Sequence, residues 1–465
     1  MYATRLLPRV AAGLAALVLV FVFAGCASAQ PRQTAQAPAR STGGESAQEI
    51  TPITQVVAAN ESAPRQSSSR DGGVMPGIDV LESQRFAILQ GKRIGLLTHP
   101  AGVNRFGVST IDVIRREPRL NLVALYGPEH GIYGDEIANE YVPDRIDART
   151  GLHVFSLYGE TRWPTPAMLE GIDVMVIDLQ DVGTRSYTYV SCMRYTLERC
   201  FENGVEVVVL DRPNPLGGLK VAGPMLDREW LSYVGAFRVP YVHGLTIGEL
   251  ARIAASEPGV LKIDDTVRRK GRLTVVPMRG WKRSMTWPDT GLKWIPTSPN
   301  IPSFEAVVGY SMTGLGAQLG GFRHGIGTPH PFRFLMHPEL KSEQLASELK
   351  KHRLHGLRFV PRQITDAQGR KIDGLFIEVR DWDAWRPTEL NFHMMQIACK
   401  VAPKNPFVGA SPGQTDLFNK HVGSTAWWNA LTRDGAKVDL QEFLDAWDRA
   451  ATRFQNESRR YWLYR

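Results

Sequence analysis

The sequence predicts an α/β protein, with a Rossmann-like, doubly wound domain followed by a smaller α+β domain. From Ile94 onward, short runs of Val, Ile and Leu alternate with segments of helical pattern. These runs are apolar on both faces, which is typical of parallel strands in a sheet that helices cover on both sides. After about Leu261 the strands become sparser and long loops separate them, which indicates that an α+β domain follows.

The first domain is predicted over residues 75–260, from strands that alternate with helices. Its strands are Ile94–Thr98, Leu122–Tyr126, His153–Leu157, Asp173–Asp178 and Val205–Leu210. Its helices are Ser109–Arg116, Thr165–Glu170 and Tyr187–Asn203, and a fourth begins after Thr246, where Thr246 and Glu249 have the spacing of a capping box. Repeated strand–helix units predict a doubly wound sheet.

The second domain is predicted over residues 261–465. Its strands are Leu273–Pro277, Leu357–Pro361 and Leu375–Arg380. Its helices are Ser342–Lys351, Asn391–Lys400 and the amphipathic segment Leu440–Phe454.

The composition is that of a globular protein. Of 465 residues, 43% are hydrophobic and 22% are charged, which excludes a mostly disordered chain and a protein with many membrane spans. The formal net charge is +8, but the basic residues are scattered and no zinc-finger or RNA-binding pattern is present, so nucleic acid is not expected as a partner. Cys192 and Cys200 lie two helical turns apart, about 12 Å, which is too far for a disulfide, so we expect two buried thiols.

The first 26 residues have the pattern of an export signal. Arg5 and Arg9 precede an apolar run, Val10–Ala24, which is too short to span a membrane. The run ends in Phe-Ala-Gly-Cys, which resembles a lipobox and would make Cys26 a lipidated N-terminus. Ala27–Ala29 offers an ordinary secretory cleavage site as the alternative. We therefore expect a protein of the cell envelope, held at the membrane by a lipid anchor or else periplasmic or secreted.

The segment after the signal, residues 27–74, is predicted to be a disordered tether. It is rich in Gln, Ala, Ser, Pro and Thr and has few large apolar side chains, so burial would not offset the entropy of ordering it.

Polar side chains gather where the predicted strands end. In open α/β sheets, ligands bind outside the carboxyl ends of the strands. Five segments at such positions combine His, Asp, Glu, Asn or Arg with Gly or Pro; they are Thr98–Asn104, Gly127–Gly131, Asp178–Arg185, Asp211–Pro215 and Tyr241–Gly244. Each residue could serve a turn or a helix cap, but five such ends together indicate a functional site.

Carboxylates in these segments suggest acid–base chemistry. Glu129 lies between Pro128 and His130-Gly131 on a short, conformationally restricted loop and is the best candidate for a proton donor. Asp178 or Asp181 would supply a second carboxylate, and two carboxylates across a cleft are the usual equipment of glycoside hydrolysis, although the 2-acetamido group of a substrate could itself be the nucleophile. The same side chains could ligate a divalent metal, but no compact ligand spacing supports that reading, and we expect no metal or cofactor. Gly314, Gly316 and Gly320 do not have dinucleotide-loop spacing.

Four tryptophans stand in loops among Pro and Gly, where indoles often stack on sugar rings, although packing is the commoner use. They are Trp163, Trp281, Trp287 and Trp294.

The strand-end motifs resemble those of the NamZ-type exo-β-N-acetylmuramidases. The matching segments are Leu96–Asn104, Gly127–Gly131, Asp178–Tyr189, Asp211–Gly217, His243–Leu250, Ser298–Pro302, Phe418–Ser424 and Arg459–Tyr464. The resemblance extends over about residues 75–465. It implies an active cleft between the two domains and an exo-acting glycosidase that releases N-acetylmuramic acid from non-reducing ends of peptidoglycan, with Glu129 as the family's glutamate.

The resemblance guides the choice of site residues. Glu129, Asp178 and Asp181 are the catalytic candidates. The candidates for substrate binding are His99, Asn104, His130, Arg185, Tyr189, Asp211, Asn214, His243 and His324. Arg185 is the expected partner of the lactyl carboxylate of muramic acid, because arginine pairs with carboxylates in a bidentate geometry.

One segment departs from the family pattern. Family members commonly carry acidic residues and an Arg where this chain has Gln318, His324 and Ile326. The departure keeps two alternatives open: a peptidoglycan-binding lipoprotein that is inactive or differently specific, and a metal-assisted envelope hydrolase.

Overall fold

The fold is described from a computed structural model that covers residues 53–56, 73–136, 140–366 and 368–465. The strands are β1 Ile53–Val56, β2 Arg93–Thr98, β3 Asn121–Gly127, β4 Arg145–Ile146, β5 His153–Ser156, β6 Val174–Asp178, β7 Glu206–Leu210, β8 Ala222–Met225, β9 Pro240–Val242, β10 Arg272–Val276, β11 Phe334–Leu335, β12 Leu357–Thr365 and β13 Lys371–Val379. The helices are α1 Gly77–Ser83, α2 Thr110–Arg115, α3 Tyr189–Glu202, α4 Ile247–Ser256, α5 Asp265–Lys270, α6 Phe304–Thr313, α7 Ser342–Lys350, α8 Glu389–Val401, α9 Pro412–Val422, α10 Thr425–Asp434 and α11 Leu440–Ser458.

A large sheet organises the N-terminal half, with strand order β1-β10-β7-β6-β2-β3-β5-β4. All neighbouring pairs are parallel except β4 and β5. From β2 the chain adds β3 and β5 on one side and then returns to place β6 on the other side. The strand order therefore reverses between β2 and β6, which is where open α/β sheets bind ligands.

Helices cover both faces of this sheet, which confirms the doubly wound prediction. Along β6, Val174 and Val176 face a core that contains side chains of α1 and α2. Met175 and Ile177 face the opposite core, which contains α3 and α4. Strands that are buried on both faces read as unbroken apolar runs, which is why the sequence located them within two residues.

The C-terminal part is built on a small antiparallel sheet, β11-β13-β12, with helices α6 to α11. Its core is aromatic: Trp427 is fully buried, and Phe392 and Trp447 pack against it with ring centroids 5.1 and 5.9 Å away. This core is continuous with the α3–α4 side of the large sheet. The α+β character predicted after residue 261 is present in this region, and the division at residue 260 itself stays a prediction.

Three predicted elements differ from the structure. Thr165–Glu170 forms turns instead of a helix: most of its backbone bonds join residues three apart, and Gly171, at φ +76°, ends the segment after one turn. Ile53–Val56 lies inside the predicted tether but forms a strand. It pairs with β10 at the edge of the large sheet, where backbone hydrogen bonds to the neighbouring strand hold it. Strand β10 itself, predicted with the second domain, pairs with β7 in the large sheet. The other tether residues that the structure describes, Gly73 and Val74, lead into helix α1. The signal segment lies outside the described residues.

Two smaller expectations can be checked in the described residues. Cys192 and Cys200 are free and fully buried, and burial raises the pKa of Cys192 to about 12. The capping box of α4 is present, with both reciprocal bonds between Thr246 and Glu249. Within the same residues, no helix combines the length and apolar character that a membrane span needs.

Candidate active site

The loops after β2, β3, β6 and β9 meet at the point where the strand order reverses. His99 follows β2 and its Nε2 accepts the backbone N–H of Gln180, after β6, over 2.9 Å. His243 follows β9, and its Nε2 lies 3.3 Å from Oδ2 of Asp181. The sheet topology thus brings together residues that are 81 positions apart in the first pair and 62 in the second.

Glu129 is held by its backbone and by its side chain. Gly131 N donates to Pro128 O over 2.9 Å and closes a tight turn around it. His130 in that turn has φ +73°, a conformation that non-glycine residues seldom adopt and that costs energy. Thr188 Oγ1 donates to Glu129 Oε2 over 2.9 Å, and the hydroxyl of Tyr189 lies 3.2 Å from Glu129 O.

Five phenols surround the Glu129 carboxylate. Burial raises the pKa of each, and the charge of Glu129 adds to the rise; they are Tyr158, Tyr187, Tyr189, Tyr233 and Tyr310. Phenols of raised pKa keep their protons at neutral pH, so these five rings add no negative charge near Glu129, a residue that is only 8% exposed.

The two candidate aspartates have different surroundings. Asp178 is fully buried, and its oxygens accept two bonds from Arg212, over 2.5 and 2.8 Å, and one from Thr110. A carboxylate paired in this way positions its neighbours and is poorly placed to react. Asp181 accepts Gly183 N at Oδ2 over 2.8 Å, while its Oδ1 is buried and has no hydrogen-bond partner among the described residues. Asp181 is therefore the aspartate whose Oδ1 is available to accept a hydrogen bond from a ligand.

His243 orients Asp181. Its Nδ1 accepts the N–H of Leu245 over 3.2 Å, so in the neutral ring the proton resides on Nε2, which faces Asp181 Oδ2. The charges of Asp181 and Glu129 both add to the rise in the pKa of Tyr310 that burial causes, which places Tyr310 near both carboxylates. Tyr310 lies on α6, so the C-terminal part contributes to the site.

Buried polar atoms without a hydrogen-bond partner among the described residues cluster in these loops. They are His99 Nδ1, Gln180 Oε1, Asp181 Oδ1, Thr184 Oγ1 and His243 Nε2. Buried polar groups are normally paired, because an unpaired one costs free energy comparable to a lost hydrogen bond. Donors and acceptors gathered in this way suit a polar ligand such as a sugar.

Three residues predicted to bind substrate instead hold the fold together. Asn104 Oδ1 accepts the N–H groups of Phe106 and Val108 and shapes the loop after β2. Asn214 bonds to the backbone of Leu216 and Leu245.

Asp211 is the third of these residues. It is fully buried at the end of β7, where it accepts the N–H of Gly248 and the hydroxyls of Thr246 and Tyr464. Burial raises its pKa. These contacts join the sheet, α4 and segment 461–465, and they leave no free oxygen for a ligand.

Arg185 was predicted to bind the lactyl carboxylate, and the structure contradicts that prediction. Its side chain is 1% exposed, and its two terminal nitrogens donate to the carbonyl oxygens of Pro224, Val239, His421 and Val422 over 2.7–3.0 Å. It pairs with no carboxylate in the described structure, and the alternative pairing with Asp181 is absent as well. Arg185 therefore joins the loop after β6 to the end of α9 and has no terminal N–H left for a ligand carboxylate.

Two predicted histidines lie in distinct environments. His130 faces the backbone, with Nδ1 3.0 Å from Glu136 O. His324 is buried, and neither of its ring nitrogens has a hydrogen-bond partner among the described residues; burial lowers its pKa to about 4. Its ring lies 6.4 Å from that of Phe332, which packs on Tyr310 at 5.1 Å, so His324 is connected to the site through two rings.

The structure adds residues that the sequence reasoning missed. Gln180, Thr188 and Tyr310 were not selected, and neither were Tyr158 and Arg162 on the loop after β5. The rule that selected the other strand ends applies equally to β5 and would have found this loop. Thr188 and Tyr310 lie on helical segments and carry no such signal.

The loop tryptophans mostly pack. Trp281 packs edge-to-face on Tyr464, and Trp287 packs against Trp294 with ring centroids 4.9 Å apart. Of the four, Trp163 keeps the largest exposed fraction, 39%. The described residues contain no group of three or more His, Cys, Asp or Glu side chains placed to hold a metal ion.

Comparison with known proteins gives one consistent result. Residues 94–305 match the family described as exo-β-N-acetylmuramidase NamZ, N-terminal, and residues 308–464 match its C-terminal counterpart. The peptidoglycan β-N-acetylmuramidase NamZ of Bacillus subtilis (strain 168) is 36% identical over 404 residues, which cover 86% of this chain and 94% of that protein.

Two crystal structures from Bacteroides fragilis NCTC 9343, both of DUF1343 family proteins, have the same fold. One has a TM-score of 0.76 at 38% identity and covers 85% of this chain and 100% of its own. The other has a TM-score of 0.64 at 26% identity, with coverages of 84% and 99%.

Proposed function

The chain belongs to the NamZ family of exo-β-N-acetylmuramidases, and from this membership we infer that it is a glycosidase that acts on peptidoglycan. It releases N-acetylmuramic acid from the non-reducing ends of glycan strands. The observation that carries this function is the match of both family domains, which extends from residue 94 to residue 464. The matched region contains the site in which Thr188 holds the side chain of Glu129.

Glu129 acts as the general acid. It gives a proton to the glycosidic oxygen as the bond to the departing sugar breaks, a role in which acid–base groups contribute about 10²–10⁴-fold to the rate. The turn of Pro128 to Gly131 and the bond from Tyr189 hold the Glu129 backbone, and the bond from Thr188 orients its carboxyl group. Holding the donor in advance lowers the entropic cost of reaching the reactive geometry.

Asp181 is the second carboxylate of the site. Gly183 N fixes its Oδ2, near which His243 Nε2 lies at 3.3 Å, and Oδ1 is left as an acceptor that can orient the sugar. Asp178 supports this arrangement by binding Arg212, whose guanidinium joins the loops after β2, β6 and β7.

The function is tested by incubating the purified protein with a disaccharide that carries N-acetylmuramic acid at its non-reducing end. Mass analysis should find free N-acetylmuramic acid, with equal yield in the presence of a chelator. Tight binding without turnover would contradict the proposal and favour a binding lipoprotein, whereas loss of activity with the chelator would favour a metal-assisted hydrolase.

The place of action follows from the substrate and from the first 26 residues. We propose that the chain is exported and that Cys26 carries the lipid that anchors it to the membrane. The basic start, the short apolar run and Gly25-Cys26 support this proposal. An enzyme tethered in this way would work on the peptidoglycan nearest the membrane.

A further inference from the structure

A muramoyl substrate carries a negative charge that the site must recognise. N-acetylmuramic acid differs from N-acetylglucosamine by a lactyl ether with a free carboxylate. Recognition of a carboxylate favours arginine, whose planar guanidinium offers two parallel donors. Arg185 cannot fill this role, because four backbone carbonyl groups occupy its terminal nitrogens.

Arg162 lies on the loop after β5, at the same edge of the sheet as the other site loops. Its side chain is half-buried, and its guanidinium carbon lies 3.7 Å from the ring centroid of Tyr158 and 5.8 Å from that of Tyr233. Stacking on an aromatic face fixes the plane of the guanidinium and leaves its N–H edge free to bind.

This guanidinium is close to the proposed general acid. Burial, the charge of Glu129 and a hydrogen bond to its side chain raise the pKa of Tyr158, while the charge of Arg162 and a hydrogen bond from it oppose the rise. The charges of Glu129 and Arg162 thus both act on the hydroxyl of Tyr158, whose ring the guanidinium contacts. A sugar whose glycosidic oxygen meets Glu129 would bring its ring substituents within reach of Arg162.

Arg162 also retains donors and positive charge. Its Nη1 donates to Gly159 O over 3.1 Å, and among the described residues other than Glu129 no carboxylate pairs with it. Arg199 and Arg145 are also stacked on aromatic rings, but each pairs with a glutamate, Arg199 with Glu202 over 2.5 Å and Arg145 with Glu136 over 3.2 Å.

We propose that Arg162 binds the lactyl carboxylate of the terminal sugar and thereby makes the enzyme select muramoyl over glucosaminyl ends. This assignment rests on the proposed muramidase function. The carboxylate of the substrate binds the N–H edge of the guanidinium, and the ring of Tyr158, 3.7 Å away, holds the guanidinium in place. Arg162 is then a determinant of specificity and takes no part in proton transfer.

The test compares Arg162→Gln and Arg162→Lys with the wild type on two substrates: a muramoyl-terminated disaccharide and the same compound with its lactyl group as the methyl ester. Wild-type kcat/KM should fall by about 10- to 100-fold from acid to ester, the worth of a charge-assisted hydrogen bond. Arg162→Gln should hydrolyse the acid as slowly as the wild type hydrolyses the ester and should show no further loss on the ester. Arg162→Lys should recover only part of the preference.

The matched control is Arg199→Gln, which removes another ring-stacked arginine and should keep the wild-type ratio between the two substrates. Binding of free N-acetylmuramic acid, measured by calorimetry, should weaken in the Arg162 variants by a similar factor. An Arg162→Gln variant that retains the wild-type preference for acid over ester, or that loses rate equally on both, would overturn the assignment. Failure of the wild type to cleave either substrate would instead refute the proposed function.

Discussion

Glu129 can be tested by a change of one atom. Glu129→Gln keeps the shape of the side chain and can still accept a bond from Thr188, but it has no proton to give. We expect kcat to fall by about 10²–10⁴-fold with an unchanged melting temperature. The control is Glu170→Gln, at an exposed position, which should have wild-type rates. Full turnover by Glu129→Gln would remove this residue from the mechanism.

His324 should make the fold sensitive to mild acid. Its pKa is lowered by burial to about 4 in the folded protein, against about 6.5 in the unfolded chain, so the unfolded state binds the proton more tightly. Stability is therefore lost as the pH falls from about 6.5 toward 4. Between pH 7 and pH 5 this group should cost about 2 kcal/mol of unfolding free energy.

His324→Gln should abolish that part of the loss, as urea unfolding at the two pH values would measure. His352, whose pKa burial also lowers to about 4, remains in both proteins, so the difference between them isolates His324. Identical slopes for the variant and the wild type would contradict this prediction.

At the residue scale, the sequence located the site better than it assigned the roles within it. The strand-end rule found His99, Glu129, Asp181 and His243, because it depends only on where each strand stops. It could not separate Asp178 from Asp181, since the partner that occupies Asp178 is Arg212, at the end of another strand. Which carboxylate stays available is decided by contacts between distant residues, and a single sequence does not carry that information.

At the element scale, the end of α9 depends on a glycine. Gly423 has φ +80°, and a Cβ placed on it would lie 2.6 Å from Nη2 of Arg185. Gly423→Ala should therefore destabilise the protein by about 1–3 kcal/mol, from the strained backbone and the displaced guanidinium.

The control for this change is Gly409→Ala, where the nearest atom to an added Cβ is 4.0 Å away. Calorimetry should show a lower melting temperature for Gly423→Ala than for Gly409→Ala. Equal melting temperatures would show that Arg185 and α9 adjust without strain.

Elements were predictable where burial made a strong pattern. Strand β2 was expected at Ile94–Thr98 and occupies Arg93–Thr98, because its residues are buried on both faces. Thr165–Glu170 has a helical pattern, but Gly171, at φ +76°, ends it before a second turn can form. Strand β1 has four residues and a partner more than 200 residues away, so nothing in its own sequence indicates the pairing.

At the scale of the whole molecule, the anchor can be tested by fractionation. If Cys26 is lipidated, Cys26→Ser should move the protein from the membrane fraction to the soluble envelope fraction, because a lipid chain supplies the membrane affinity. Immunoblots of the two fractions would measure the shift, and the Cys192→Ser variant, at a buried site, serves as the control. A wild-type protein that is soluble and begins at Gln30 would show that ordinary secretory cleavage occurs instead.

The bond between Asp211 and Tyr464 sets an order of events in time. The two residues are 253 positions apart, and the hydroxyl of Tyr464 completes the set of donors around a carboxylate buried at the end of β7. In a growing polypeptide, Asp211 lacks this donor until residue 464 has left the ribosome. A product cut short before that residue keeps a buried carboxylate that lacks one of its donors, which leaves it open to proteolysis. The environment of a carboxylate next to the catalytic loops thus depends on a residue that is synthesised 253 positions later.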